Sequence, residues 1–126
     1  MITLKQFING QWRDGSGSKL ESISPSSDEV IAKGSMASPQ DADDAVRAAE
    51  EAFDGWRKTP YEDRKAIIER FAAIAAERKD EMARLIAQEA GKALWDAATE
   101  AGGIAGKAKL AIASYEDRTP TRSKEQ

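Results

Sequence analysis

Cysteine and histidine are both missing from the 126 residues. The first absence removes disulfides, thiolate nucleophiles and sulfur metal ligands. The second removes the side chain most used to move protons near neutral pH, and with it the other common ligand of transition metals. Neither absence points to a compartment, because a thiol-free chain is at home on either side of a membrane. Long apolar runs are lacking too, so no segment reads as a bilayer span. Met1 to Gln6 holds no basic stretch followed by an apolar one, and no secretory signal is visible. A dominant charge sign is also missing: 33% of residues are charged, yet the net charge is only −3. That balance gives no basic stripe for a polyanion and no acidic tail. Neither nucleic acid nor a membrane is an expected partner, and a cytoplasmic location is the default.

What is present fits one domain with a modest core. Thr3 to Ile8 and Gln11 to Arg13 read as short strands joined by Asn9-Gly10, since both positions of a type I′ turn need positive φ. Leu20 and Ile23, then Val30 and Ile31, suggest a second strand pair around Pro25-Ser26-Ser27-Asp28. Gly34 and Ser35 end the β portion. Taken alone, these are two surface hairpins without chemistry.

The helical portion opens at Ser38-Pro39-Gln40-Asp41, a capping-box spacing with proline at the first helical position. Ala42, Ala45, Val46, Ala49, Phe53 and Trp56 then recur at steps of three and four, with Asp43, Asp44, Arg47, Glu50, Glu51 and Asp54 on the other face. Thr59-Pro60-Tyr61-Glu62 repeats the start signal, and Ile67, Ile68, Phe71, Ala72, Ile74 and Ala75 form a wide apolar face behind it. A third pattern runs through Met82, Leu85 and Ile86. Asp80 favours a break before it, although periodicity alone does not separate it from the second. Gly91 stands where a helix end wants positive φ, and Lys92 adds a cation suited to the negative end of the helix dipole. The fourth helix carries Leu94, Ala97, Ala98, Ala101, Ala105, Ala108, Ile112 and Tyr115. Gly102, Gly103 and Gly106 lie inside it, each costing roughly 1 kcal/mol against alanine. They imply either close approach of another backbone or a local break. Residues 119–126 are polar and aperiodic and read as a disordered tail.

Three stretches together resemble the N-terminal part of the aldehyde dehydrogenase superfamily: Phe7-Ile8-Asn9-Gly10-Gln11-Trp12, Ser24-Pro25-Ser26-Ser27-Asp28-Glu29-Val30-Ile31-Ala32, and Gln88 to Glu100. The Gly91-Lys92-Ala93-Leu94-Trp95-Asp96-Ala97-Ala98-Thr99-Glu100 run looks most like the succinylglutamate semialdehyde dehydrogenases of arginine breakdown. The resemblance covers residues 1–118 and implies an α+β, mainly helical segment: hairpins over 1–36, then about four amphipathic helices over 38–118. It implies a parent activity that oxidises an acidic semialdehyde to an acid with NAD or NADP. The thiolate, glutamate and asparagine that act in such enzymes lie later than these residues, so this chain is expected to be a truncated, catalytically silent part with no cofactor site of its own. Its expected partners are the remainder of the parent enzyme or a second copy. The competing expectation is a small helical binding or oligomerisation module without catalysis.

The resemblance also implies a monovalent-cation site. Some of these enzymes hold such an ion at positions matching Ser22 and Ile23, through oxygen or carbonyl groups, and Glu89 as the carboxylate. The family often has aspartate where Glu89 stands and serine or threonine where Ala90 stands, and a plain structural carboxylate is the alternative. No residue is expected to be catalytic. Gly102-Gly103-Ile104-Ala105-Gly106 lacks the preceding strand that a dinucleotide fingerprint needs. Asp43-Asp44, Glu50-Glu51 and Asp63 are expected on solvent faces, as are Lys58, Lys65 and Lys79.

Overall fold

In a computed structural model, residues 1–119 are described. The elements run β1 (Ile2–Thr3), β2 (Gln6–Ile8), β3 (Gln11–Arg13), β4 (Lys19–Ile23), β5 (Val30–Ser35), α1 (Pro39–Lys58), α2 (Tyr61–Glu77), α3 (Lys79–Ala90) and α4 (Leu94–Arg118). Short strands followed by four helices match the expected α+β, mainly helical class. They form two compact units: Met1–Thr59 with Gln88–Gly91, and Pro60–Ala87 with the chain from Lys92 onward. The expected tail lies outside the described residues except for Thr119, whose N–H and hydroxyl both donate to the Tyr115 carbonyl at the end of α4.

In the first unit β2 and β3 pair antiparallel across Asn9 and Gly10, both at positive φ (51° and 74°), as the Asn-Gly signal requires. The strand expected over Thr3 to Ile8 is divided. Its first part, β1, leaves the hairpin and lies parallel to β5, while β4 covers the other side of β5 in antiparallel register. A strand this short joins whichever edge offers carbonyls, and the Leu4 N–H donating to Lys33 O at 2.7 Å extends that pairing.

The box at the start of α1 forms as expected. Ser38 Oγ accepts from the Asp41 N–H, and the Asp41 carboxylate accepts from the Ser38 N–H. The second box does not form. Thr59 instead closes α1, its hydroxyl donating to Gly55 O, and α2 starts behind Pro60 without a side-chain cap. One sequence signal served a helix end rather than the next helix start.

The second unit is held by α2 packing on α4, and the break before α3 falls at Arg78. Helix α4 is unbroken, and among the described residues no backbone of another element comes close to its glycines: Gly103 and Gly106 have open space, and Gly102 faces only the Lys79 side chain. Alanines make the close contacts instead. Ala97 and Ala101 are 0% and 1% exposed, and Ala72, Ala75, Ala83 and Ala108 are also buried. The large side chains are elsewhere: Phe53, Trp56, Ile67, Phe71, Trp95 and Leu110 are all exposed.

Candidate functional site

The turn between β4 and β5 positions the cation candidate. Ser22 pairs with Ala32 and Ile23 with Val30, so Ile31 is an extra residue on β5 and the ladder bulges at Ser22–Ile23. Beyond the bulge, Asp28 at φ 57° completes the turn, with the Ser24 N–H donating to Glu29 O and the Asp28 N–H to Ser24 O. Pro25 in this turn lies under Gly91, whose φ of 65° confirms the expected helix exit. A Cβ there would stand 2.7 Å from Pro25 Cγ. That contact brings the last turn of α3 to the end of β4, and Ser22 Oγ donates to Glu89 Oε1 at 3.3 Å.

Ser22 and Glu89 are therefore neighbours, and Ile23 adjoins them through the chain. One carboxylate and one hydroxyl offer hard oxygen donors of low total charge, which suits a monovalent ion better than a divalent one. Among the described residues no group of three or more Asp, Glu, His or Cys side chains could hold a metal ion.

A denser polar cluster lies at the start of α1. Asp41 Oδ2 accepts from the Ser16 hydroxyl (2.6 Å), the Ser16 N–H (2.9 Å), the Ser38 N–H (2.9 Å) and the Ser38 hydroxyl (3.1 Å). Arg13 Nη2 donates to Asp41 Oδ1 at 3.3 Å and to Asp44 Oδ2 at 3.1 Å. The Ser16 hydroxyl, then the Ser38 and Ser16 amides, hold the Asp41 carboxyl well below the ordinary carboxylate range. Gln40 and then Arg13 lower Asp44. Asp44 is thus not a free solvent-face carboxylate but half of an ion pair. The capping box pointed to Asp41. Arg13 and Ser16 carried no local signal, because they reach it across the loop after β3.

In the second unit Tyr61 and Tyr115 stack at 4.9 Å, and Glu116 accepts from the Tyr61 hydroxyl and from Lys65 Nζ. Lys65 lowers Glu116 and is itself raised, while desolvation, then Glu116, pushes the Tyr61 hydroxyl up. Lys65 is therefore not the free surface cation expected. Lys92 leaves the end of α3 and bridges Asp96 and Glu100 on α4. A groove of about 500 Å³ between α2 and α4 has a floor of Ala72, Ala73, Ala76 and Ala105. The Tyr61–Lys65–Glu116 cluster ties α2 to α4, and Lys92 ties the loop before α4 to its first two turns.

A sequence profile of the aldehyde dehydrogenase family matches residues 12–125. The chain belongs to that family. It is 44% identical over 117 residues to N-succinylglutamate 5-semialdehyde dehydrogenase of Ectopseudomonas mendocina, covering 93% of this chain and 24% of that protein. Solved relatives share the fold. An NAD-dependent benzaldehyde dehydrogenase from Corynebacterium glutamicum superposes with a TM-score of 0.85 at 33% identity, over 97% of this chain and 27% of its own. An aldehyde dehydrogenase from Bartonella henselae gives 0.88 at 30%, over 100% of this chain and 28% of its own. The chain spans about a quarter of the length of the curated relatives it matches. No described helix is long and apolar enough to cross a membrane.

Proposed function

We propose that this chain is a scaffold segment of an NAD(P)-dependent semialdehyde dehydrogenase, acting with the remainder of such an enzyme or with a second copy. The observation that carries this reading is the 44% identity to an N-succinylglutamate 5-semialdehyde dehydrogenase over nearly the whole chain. The reaction assigned to the whole enzyme is oxidation of an acidic semialdehyde to the acid, with nicotinamide as hydride acceptor and the cytoplasm as its setting. Residues 1–118 form the segment, the β portion over 1–36 and the helices over 38–118.

The segment itself supplies no reacting group. Hydride leaves an aldehyde carbon readily once a nucleophile has made that carbon tetrahedral, and these residues include neither a thiol nor a histidine to activate a hydroxyl. A pyrophosphate needs an open helix N-terminus. The start of α1 is filled by Asp41, and α2, although uncapped, opens with Glu62 and Asp63. The pairing of Ser22 with Glu89 supports a structural role for that carboxylate. The same oxygens, with the Ile23 carbonyl, are where a monovalent cation would bind.

Calorimetry with NAD and with NADP, and absorbance of reduced nicotinamide with succinic and glutamic semialdehydes, test the reading on the 126-residue chain. Neither binding nor turnover is expected. Saturable micromolar cofactor binding, or turnover that survives repurification, would overturn it. Potassium raising the melting temperature of the parent chain but not of Glu89→Gln would assign the cation.

A further inference from the structure

Asn9 is the only asparagine in the chain, and a glycine follows it. Such an amide is among the most labile in a protein, because glycine has no side chain to keep its nitrogen away from the asparagine amide carbon. Asn9 is exposed, and nothing stands within 4 Å of where a Gly10 Cβ would be. Only the turn opposes the reaction. Asn9 is left-handed at φ 51°, a state with ψ of about +47°. There the Gly10 nitrogen lies on the side of the Cα–C bond away from Cβ. Attack needs the opposite rotation, so the hairpin must first open. Opening takes little free energy. Strands β2 and β3 form a two-stranded sheet of their own, three residue pairs long. Its aromatic pair, Phe7 and Trp12 with ring centres 5.0 Å apart, is more than half exposed on both sides. A two-stranded hairpin of this kind is marginal in water.

We propose that Asn9 is a self-modification site, converted through a cyclic imide to isoaspartate when the first hairpin opens, and that the conversion loosens the start of α1. With the hairpin open, the Gly10 nitrogen gives its proton to solvent and bonds to Asn9 Cγ. The Cγ–Nδ2 bond breaks, and ammonia leaves with a proton taken from water. Water then opens the imide at one of two carbons. Opening at Cγ gives aspartate, which fits the same turn because its short side chain tolerates positive φ. Opening at the main-chain carbon gives isoaspartate, whose chain runs through Cβ and Cγ and is one atom longer. A two-residue type I′ loop has no place for that atom. The ladder that this loop holds in register ends at Gln6 and Arg13. Arg13 is the residue that reaches Asp41 and Asp44. Chemistry at the turn thus acts on the polar attachment of α1.

The test incubates the 126-residue chain in warm, mildly alkaline buffer beside the free peptide Phe-Ile-Asn-Gly-Gln-Trp. Intact mass, released ammonia and peptide mapping follow the reaction. One conversion per chain is expected, mapped to Asn9 and slower than in the peptide by roughly tenfold or more. Trp12→Ala should speed it several-fold towards the peptide rate while helical circular dichroism stays unchanged. The isoaspartate form, separated by its added negative charge, should have a lower urea midpoint than the parent. Asn9→Asp, with the same charge and no added atom, should keep the parent midpoint. Arg13→Gln should lower the midpoint of the parent but lower that of the isoaspartate form no further. Arg13→Lys is the milder substitution should the glutamine variant fail to fold. An intact amide after the peptide has fully converted would overturn the proposal. So would a rate indifferent to Trp12→Ala, an isoaspartate form as stable as the parent, or an Arg13 substitution equally destabilising in both forms. None of these results touches the dehydrogenase reading, which fails on cofactor binding or turnover instead.

Discussion

The two ends of the helical portion solve one problem in opposite ways. Helix α1 is fastened by polar groups: its first turn holds Asp41 among Ser16, Ser38 and Arg13, and its residues from Ala49 to Lys58 are exposed. Helix α4 is fastened by small apolar groups, with Ala97 and Ala101 almost completely buried and no glycine needed for the contact. On both helices the largest apolar side chains, Phe53 and Trp56 on α1 and Trp95 and Leu110 on α4, stay exposed. A hydrophobic stripe therefore marks a surface that wants a neighbour, not the neighbour it has within these residues. The contrast also predicts different sensitivities. The α4 packing should fail on added volume, whereas the α1 attachment should fail on lost hydrogen bonds.

The largest effect expected is from Ala101→Leu, which forces extra methyl groups into a site with no room and should destabilise by about 1–3 kcal/mol. A melt within error of the parent would mean that the helices pack loosely and the contrast is false. Gly91→Ala comes next, at about 1 kcal/mol or more, because a Cβ is disfavoured at positive φ and would also strike Pro25. Stabilisation by alanine would show instead that α3 runs on into α4. Ser38→Ala should cost about 1 kcal/mol by removing the cap of α1. Urea titration followed by circular dichroism would show whether α1 melts first.

Acid probes the polar ties of both helices without a substitution. The Asp41 carboxyl, held below its ordinary 3.8 chiefly by the Ser16 hydroxyl, gives stability that is complete above that value and is lost as pH falls towards its lowered folded value. Glu116, held below 4.5 chiefly by Lys65, behaves the same way. Lys65 is raised, so its share is intact below 10.5 and is lost as pH climbs through the raised value. The urea midpoint should be flat near neutrality and decline below about pH 4. A midpoint unchanged to pH 2 would remove both carboxylates from the account. The smallest effect is from Glu81→Gln, which breaks the exposed Arg78–Glu81 pair and should leave the melting temperature unchanged within error.

Local signals were legible where one short stretch decides the outcome. Asn9-Gly10 can hardly do anything but turn, Ser38 and Asp41 satisfy each other's amides three residues apart, and Gly91 closes a helix. Signals that depend on distant chain were not legible. Nothing near Ile2 says that it will leave the first hairpin for β5, and nothing near Arg13 says that it will reach Asp44. Thr59-Pro60-Tyr61-Glu62 was ambiguous because one threonine can cap the helix before it or the helix after it. Periodicity found the apolar stripes of α1 and α2 correctly, but a stripe records which residues share a side and not which side is covered. The cation candidate is the intermediate case. The resemblance named Ser22 and Glu89, and the contact of Pro25 with Gly91 is what brings them together.

The three tryptophans test the outward placement of large side chains most directly. Trp12, Trp56 and Trp95 are 68%, 47% and 77% exposed. At low micromolar concentration the account predicts red-shifted, water-like emission that acrylamide quenches readily in the folded chain. Blue-shifted emission that resists acrylamide until urea unfolds the helices would contradict it.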